Sequence, residues 1–361
     1  MVATVFAERF EVTTGNDRML GEGGFGSVYK ALDRAEDPAV PIAAKRVPLA
    51  KADDLASYEA EIGVLKEVHE HASIVSYLGD TTDEKGDGWL FLELATGGEL
   101  FDRLIDSGSL SERAAWPYFS ALVAAVGHCH AKGVVHRDLK LENVMLVAED
   151  PHAIRLIDFG LAVQLRLTPE GGIDPSDTRS DCAGTEAYRA PEMHLGTAYD
   201  PTKTDVWALG IILFSLSSGF FPLREASNQD WRFKRLAKEQ AMGESACDAI
   251  YKMYKRTCPF APALKALVDD MLQIEPKARR SMEGVLDDEW VVKPPPARVA
   301  ETLDDGDGPV YRGLETMLED EDGFGEVVPL PEDAVPITRQ RAQLRVDVDV
   351  SGEAEGAAAP P

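Results

Sequence analysis

The sequence predicts an α+β chain of two lobes, a small strand-rich one with one helix and a larger, mainly helical one. Three observations lead there. Strand-like patterns dominate residues 10–95, helical patterns follow the Gly97-Gly98 break, and hydrophobic periodicity stops after Trp290. A length of 361 residues with 44% hydrophobic content is enough for two cored lobes.

Ser27-Val28-Tyr29-Lys30-Ala31 and Ile42-Ala43-Ala44-Lys45-Arg46-Val47 read as strands, with Pro38 and Pro41 marking the connector between them. Asp53 is the expected N-cap of a helix. Leu55, Tyr58, Ile62 and Leu65 then recur at helical spacing to about Val68. Trp89-Leu90-Phe91-Leu92-Glu93-Leu94 reads as a buried strand. Helices are expected over Ala114–Ala131, Val206–Ser217, Leu264–Gln273 and Met282–Asp288, the second apolar enough to be buried.

From Pro294-Pro295-Pro296 onward the chain is rich in acids, Gly and Pro. Residues 301–361 hold 16 Asp and Glu against 4 Lys and Arg. Such a stretch buries too little apolar surface to offset its chain entropy, so a disordered tail is expected. The alternation of Leu344, Val346, Val348 and Val350 leaves a short docked strand as an alternative. With 63 acidic and 37 basic residues and a net charge of −26, nucleic-acid binding through a broad basic face is disfavoured. No window reads as a membrane span, and residues 1–10 do not read as a secretory signal. Cys129, Cys182, Cys247 and Cys258 lack close pairing. They read as reduced thiols of a cytosolic or nuclear protein, and against a zinc site.

The chemistry lies in His136-Arg137-Asp138-Leu139-Lys140-Leu141-Glu142-Asn143, followed fifteen residues beyond Asn143 by Asp158-Phe159-Gly160. A carboxylate, an amine and an amide share one short loop, and a second carboxylate stands just beyond. These groups suit phosphoryl transfer, which needs a hydroxyl held in line, a phosphate chain held still, and a cation at the developing charge. Gly21-Glu22-Gly23-Gly24-Phe25-Gly26 could alone be a dinucleotide-binding turn. That turn requires a helix directly after it, whereas Ser27–Ala31 alternates as a strand. A hairpin whose backbone N–H groups approach phosphate oxygens fits better.

These motifs resemble those of eukaryotic serine/threonine protein kinases over about residues 15–293. Gly97-Gly98-Glu99-Leu100-Phe101-Asp102-Arg103-Leu104 is similar to the calcium/calmodulin-dependent and checkpoint-type group. Arg189, within Tyr188-Arg189-Ala190-Pro191-Glu192, is instead more typical of the cyclin-dependent group. The resemblance implies a bilobal kinase-like fold with an antiparallel sheet in the small lobe. Residues 1–14 would be an extension, about 15–95 the small lobe, about 96–293 the large lobe, and 294–361 the tail.

It also implies ATP and Mg2+. Gly21, Gly23, Gly24, Phe25, Gly26, Val28, Ala43 and Lys45 would border the nucleotide, Glu93 and Ala95 would offer hinge backbone, and Glu99 would reach the ribose. Glu61, preferred over Glu59, would fix Lys45. Asp138 would accept the substrate proton and Lys140 would neutralise charge, while Asn143 and Asp158 would hold the metal. His136 would have a structural role. Arg137 with Thr178, Ser180 and Thr185 would be regulatory, and Thr185 with Lys140 points to serine/threonine transfer. Asp177 and Asp181 leave open an acid-assisted form that needs no phosphate, and residues 168–177 are expected to be mobile. Glu192 would pair with Arg279, and Asp205 would brace the catalytic loop. Glu99 and Glu142 would favour basic residues before the acceptor. Protein substrates and an upstream kinase are the expected partners. A pseudokinase scaffold is the alternative, although Lys45, Asp138 and Asp158 are all retained. A small-molecule phosphotransferase fits less well, because Gly184-Thr185 and Ala190-Pro191-Glu192 resemble the peptide platform.

Overall fold

The computed structural model describes residues 3–15, 18–23, 26–35, 37–296 and 335–336. Among them, seven strands form one antiparallel sheet: β1 (Ala3–Phe6), β2 (Phe10–Thr13), β3 (Met19–Gly23), β4 (Gly26–Asp33), β5 (Val40–Val47), β6 (Tyr77–Thr82) and β7 (Gly88–Glu93). Helix α1 (Ala52–Val68) lies between β5 and β6 in sequence. The order is β1-β2-β4-β5-β7-β6. β2 and β3 both pair with β4, β2 along residues 31–33 and β3 along 26–29.

Residues 3–13, in the stretch expected to be an N-terminal extension, supply two strands to the sheet. Phe10 stacks on Phe91 at 4.0 Å between ring centroids. With Val12, Tyr29, Ile42, Ala44 and Trp89 it makes a second hydrophobic core on the sheet. The N-cap of α1 is Lys51 rather than Asp53: Lys51 has extended backbone, and its N–H donates to Asp54 at 2.9 Å.

The large lobe comprises α2 (Leu100–Ser107), α3 (Glu112–Ala131), β8 (Val134–Val135), β9 (Val144–Val147), β10 (Asp150–Leu156), β11 (Val163–Gln164), α4 (Pro201–Ser218), β12 (Phe220–Phe221), α5 (Trp231–Ala241), α6 (Ala246–Met253), α7 (Pro262–Met271), α8 (Met282–Leu286) and α9 (Glu289–Val292). α4 is the axis of its core, buried from Thr204 to Leu216. It starts five residues before the apolar run, because Asp200 caps Thr202 N–H at 2.9 Å and Pro201 occupies the first helical position. It ends at Gly219 with φ +78°, where a Cβ would stand 2.1 Å from the Gly108 carbonyl.

In the stretch expected to be a disordered tail, β13 (Val335–Pro336) pairs antiparallel with β12, Phe220 facing Pro336 and Phe221 facing Val335. The alternating run at 338–350 lies outside the described residues.

One buried ion pair joins Glu192 to the base of the large lobe. Arg279, 1% exposed, places Nη1 2.6 Å and Nη2 2.9 Å from the two Glu192 carboxylate oxygens. Its remaining hydrogens reach the carbonyls of Gln273 (2.9 Å), Lys203 (2.8 Å) and Ile274 (3.3 Å). All five guanidinium donors are thereby used, and the Trp207 ring lies 5.1 Å away. Arg279→Leu, which strands a buried carboxylate, is expected to cost about 3–5 kcal/mol. Arg279→Leu combined with Glu192→Leu should recover a substantial part of that loss. Urea unfolding of the three proteins checks this, and a single variant as stable as wild type would contradict it.

Candidate functional site

The cleft between the lobes collects side chains from five separate stretches of chain. The roof is β5. Alternation along it sends Ile42 and Ala44 into the sheet core and leaves Ala43 and Lys45 on the other face. Lys45 Nζ lies 2.6 Å from Glu61 Oε1 on α1 and 3.3 Å from Asp158 Oδ1, which is 113 residues away in sequence. Glu61 is buried and Glu59 exposed, so helix geometry decides between the two carboxylates. Burial disfavours a charge on Lys45, but Glu61 and Asp158 outweigh it and hold the ammonium above the ordinary lysine range. Burial likewise opposes the Asp158 carboxylate, yet Lys45 and Lys140 keep it below the usual aspartate range. Both groups are therefore ionised at neutral pH.

The glycine-rich hairpin closes the roof. A Cβ at Gly21 or Gly23 would meet nothing within 4 Å, so their backbone is open to a ligand. Gly26, at φ +133°, allows the β3–β4 turn to press on β5, where a Cβ would lie 1.9 Å from the Arg46 carbonyl. Gly24 and Phe25 lie outside the described residues. Val28 pairs with Lys45 across the sheet and Ala43 with Leu92.

At the back of the cleft, the Glu93 side chain faces Arg155 and Ser76. It accepts from Arg155 Nε at 2.8 Å and from Ser76 Oγ at 2.9 Å. Beyond Ala95, Gly97 N–H donates to Leu146 O (2.9 Å) and Leu146 N–H to Gly98 O (2.8 Å), which fastens the hinge to β9. Glu99 precedes α2 and bridges to Met145.

The floor is the loop 136–143. Asp205, 1% exposed on α4, accepts the backbone N–H of His136 (3.0 Å) and of Arg137 (2.9 Å), and lies 2.9 Å from His130 Nε2. This clamp coincides with φ +66° at Arg137. His136 Nδ1 faces Asp138 N–H at 3.3 Å, so Nε2 carries the proton donated to Ile157 O at 3.1 Å. Its ring packs on Phe159, 4.8 Å between centroids.

Asp138 thereby reaches the cleft. Its Oδ1 accepts from Thr185 Oγ1 (2.8 Å) and N–H (2.9 Å), and its Oδ2 from Lys140 Nζ (2.6 Å). Lys140 also lies 3.1 Å from Thr185 Oγ1. Asn143 Nδ2 donates to Asp138 O at 2.9 Å, which fixes the orientation of its amide. Asp158, at φ +61°, follows Ile157, whose N–H is held by Asn143 O at 2.9 Å. Asn143 and Asp158 are thus tied together by backbone.

Thr178 and Ser180 are exposed, and neither side chain meets Arg137. Arg137 pairs instead with Asp181. Residues 168–177, expected to be mobile, form a closed turn. Thr168 N–H donates to Gly172 O at 2.7 Å, and Asp177 accepts Arg166 N–H at 2.9 Å. Tyr188 OH accepts Leu141 N–H (3.3 Å) and lies 3.3 Å from Glu142 Oε2. Burial pushes the Glu142 carboxyl up from the ordinary glutamate value. His130, the Glu93–Arg155–Ser76 brace and the Tyr188 contacts escaped sequence reasoning, since nothing in their spacing marks them.

Among known proteins, the family described as "Protein kinase domain" matches residues 15–291. CBL-interacting serine/threonine-protein kinase 24 of Arabidopsis thaliana is 34% identical over 275 residues, 76% of this chain and 56% of that protein. CBL-interacting protein kinase 19 of Oryza sativa subsp. japonica is 35% identical over 281 residues, 76% of this chain and 50% of that protein. Maternal embryonic leucine zipper kinase of Danio rerio is 30% identical over 282 residues, 76% of this chain and 37% of that protein. The chain spans about half the length, or less, of these curated relatives.

The Asp205 clamp has a pH signature. Burial raises its carboxyl, but the His130 contact and the Arg137 N–H outweigh that and hold it below the ordinary range. A depressed carboxyl stabilises the fold fully above its unfolded value of about 3.9, and that stability is lost as pH falls through the folded value. The difference in unfolding free energy between wild type and Asp205→Asn should therefore shrink as pH falls below about 4. Urea titrations across that range measure it, and a difference that grows on acidification would refute the clamp.

Proposed function

The chain belongs to the protein kinase family, and on that premise we propose that it transfers the γ-phosphate of ATP to serine or threonine hydroxyls of protein substrates. The observation that carries this reading is the convergence of Lys45 on Glu61 and Asp158 at 2.6 and 3.3 Å, with Lys140 of the Asp138–Lys140–Thr185 cluster near enough to act on the Asp158 charge.

Kinases of this family use ATP and Mg2+, and the residues present fit both. Asn143 and Asp158 offer hard oxygen ligands, few in number as Mg2+ prefers, and the open backbone at Gly21 and Gly23 suits a phosphate chain. Bound Mg2+ supplies neutralisation of the charge that develops on the phosphate oxygens. Lys45, fixed by Glu61, holds the phosphates. Asp138 holds the acceptor hydroxyl in line and takes its proton, while Thr185 and Lys140 fix the carboxylate that does so. Lys140, whose ammonium is kept above its ordinary range by Asp138 despite burial, neutralises charge beside it. Glu99 and Glu142 favour a basic residue before the acceptor; the raised Glu142 carboxyl is stabilised as an anion once an arginine arrives.

Asp181 takes the place on Arg137 that a phosphate on the activation segment would occupy, so this form is active without an upstream kinase. Arg137 Nε is buried without an acceptor among the described residues. A phosphate would therefore add to the contact rather than create it.

Transfer of labelled phosphate to a serine/threonine peptide library tests the activity. Asp138→Asn should lower the rate by about 10²–10⁴-fold, and a wild type no faster than this variant would end the kinase reading in favour of a scaffold. In the same assay Asp181→Asn is expected to lose about tenfold or more through disorder of the segment. The double variant Thr178→Ala, Ser180→Ala should stay within about twofold of wild type. The opposite ranking would show that phosphorylation is required.

A further inference from the structure

We propose that Cys247 and Cys258 form a dithiol that a hydroperoxide converts to a disulfide, with Cys258 as the attacking sulfur and Cys247 as the resolving one. These side chains play no part in the kinase reading above, so the two stand or fall separately.

Cys247 and Cys258 lie eleven positions apart. Cys247 sits in the first turn of α6, which Ser245 caps by accepting Asp248 N–H at 3.1 Å. Cys258 lies in the connection from α6 to α7. Folding brings the two side chains into a mutual hydrogen bond. The connection is seated by Phe260, whose ring meets Tyr251 of α6 at 5.7 Å and Phe214 of α4 at 5.6 Å between centroids. The contact between the thiols is thus backed by the core of the lobe.

Their surroundings give the two sulfurs different roles. Cys258 is half-buried, and its sulfur accepts hydrogen bonds from Cys247 and from Phe260 N–H. The Lys265 ammonium, paired with Asp248, is also near. The Cys247 contact, with help from Phe260 N–H and Lys265, holds the Cys258 thiol below the ordinary cysteine range against burial and the Asp248 charge. Cys247 is fully buried. Its thiol faces three acceptors: the Cys258 sulfur, the Asp269 carboxylate and the Lys265 carbonyl at 3.9 Å. Burial above all keeps it protonated, so it is not the first to react. Asp269 is fixed beside it, because Asp269 Oδ1 accepts Cys247 N–H at 2.8 Å.

The Cys258 thiolate attacks one oxygen of the hydroperoxide. An S–O bond forms, the O–O bond breaks, and the departing oxygen takes up the proton that Cys258 lost. Sulfur is oxidised by two electrons to a sulfenic acid, and the peroxide is reduced. Asp269 then takes the Cys247 proton, the S–S bond forms, and the S–O bond breaks. Hydroxide leaves and recovers that proton as water. Two thiols and one hydroperoxide give one disulfide, one alcohol and one water, or two waters from hydrogen peroxide.

Hydrogen peroxide added to the full-length protein, followed by alkylation and peptide mass mapping without reductant, tests this. The Cys247 and Cys258 peptides should be recovered joined, two hydrogens lighter than the free pair, and separate again after dithiothreitol. Buried Cys129 should remain a thiol. Cys247→Ser should leave Cys258 as a sulfenic acid that dimedone captures, and Cys258→Ser should leave Cys247 unoxidised. Asp269→Asn should slow the step from sulfenic acid to disulfide by about tenfold or more while Cys258 still oxidises. A Cys258 that stays a thiol while Cys182 oxidises overturns the proposal. So does a wild-type sulfenic acid at Cys258 that never resolves, or Cys258 joined to a cysteine other than Cys247. An undiminished rate in Asp269→Asn overturns the part given to Asp269. The wild-type map decides by itself if a variant does not fold, and peptide phosphorylation scored under dithiothreitol keeps the kinase reading separate.

Discussion

The site depends on a buried carboxylate that performs no chemistry. Asp205 accepts two successive backbone N–H groups, from His136 and Arg137, while the φ of Arg137 is positive. A side chain in that region costs of order 1–3 kcal/mol, which buried charge-assisted hydrogen bonds to two main-chain donors can offset. Release of the clamp would let Arg137 relax and withdraw Asp138 from Thr185 and Lys140. The helix supplying Asp205 is itself buried from Thr204 to Leu216, so the loop 136–143 inherits the rigidity of the core.

The two buried lysine and arginine pairs answer to different demands. Arg279 uses all five donors far from the cleft, and its partner Glu192 ends the activation segment. Lys45 is otherwise arranged. It is shared between two carboxylates, one on each lobe, at unequal distances of 2.6 and 3.3 Å. Desolvation makes a buried pair weak evidence for stability. Lys45 and Glu61 are better understood as a positioned charge, available to the cleft, than as a stabilising contact. The lobes are held together independently of it through Leu156 with Ser73 and Val75, while Leu146 fastens Gly97 and Gly98 to the large lobe.

Much of the fold can be read along the chain, because strand and helix periodicities are local. The misreadings have equally local causes. Asp53 resembles an N-cap since caps favour aspartate, yet the extended backbone begins earlier, at Lys51, and Asp54 reaches back to it. Residues 3–13 carry no family motif, and their place in the sheet rests on Phe10 stacking against Phe91, a contact 81 residues apart that no window contains. The Gly, Pro and acid content of 168–177 suggests mobility, but Arg166 draws Asp174 and Asp177 together.

What the sequence determined by itself was the inventory: which side chains could carry phosphoryl transfer, in what order, and on which kind of element. Motif spacing conveys this, since the loop 136–143 and Asp158 lie within a few turns of one another. Tertiary structure alone decided the selection among equals. It gave Arg137 to Asp181 while leaving Thr178 and Ser180 in solvent. It also turned the Gly184 carbonyl onto Arg189. Each of those outcomes depends on directions and distances between segments that meet only after folding, and composition or spacing holds no record of them.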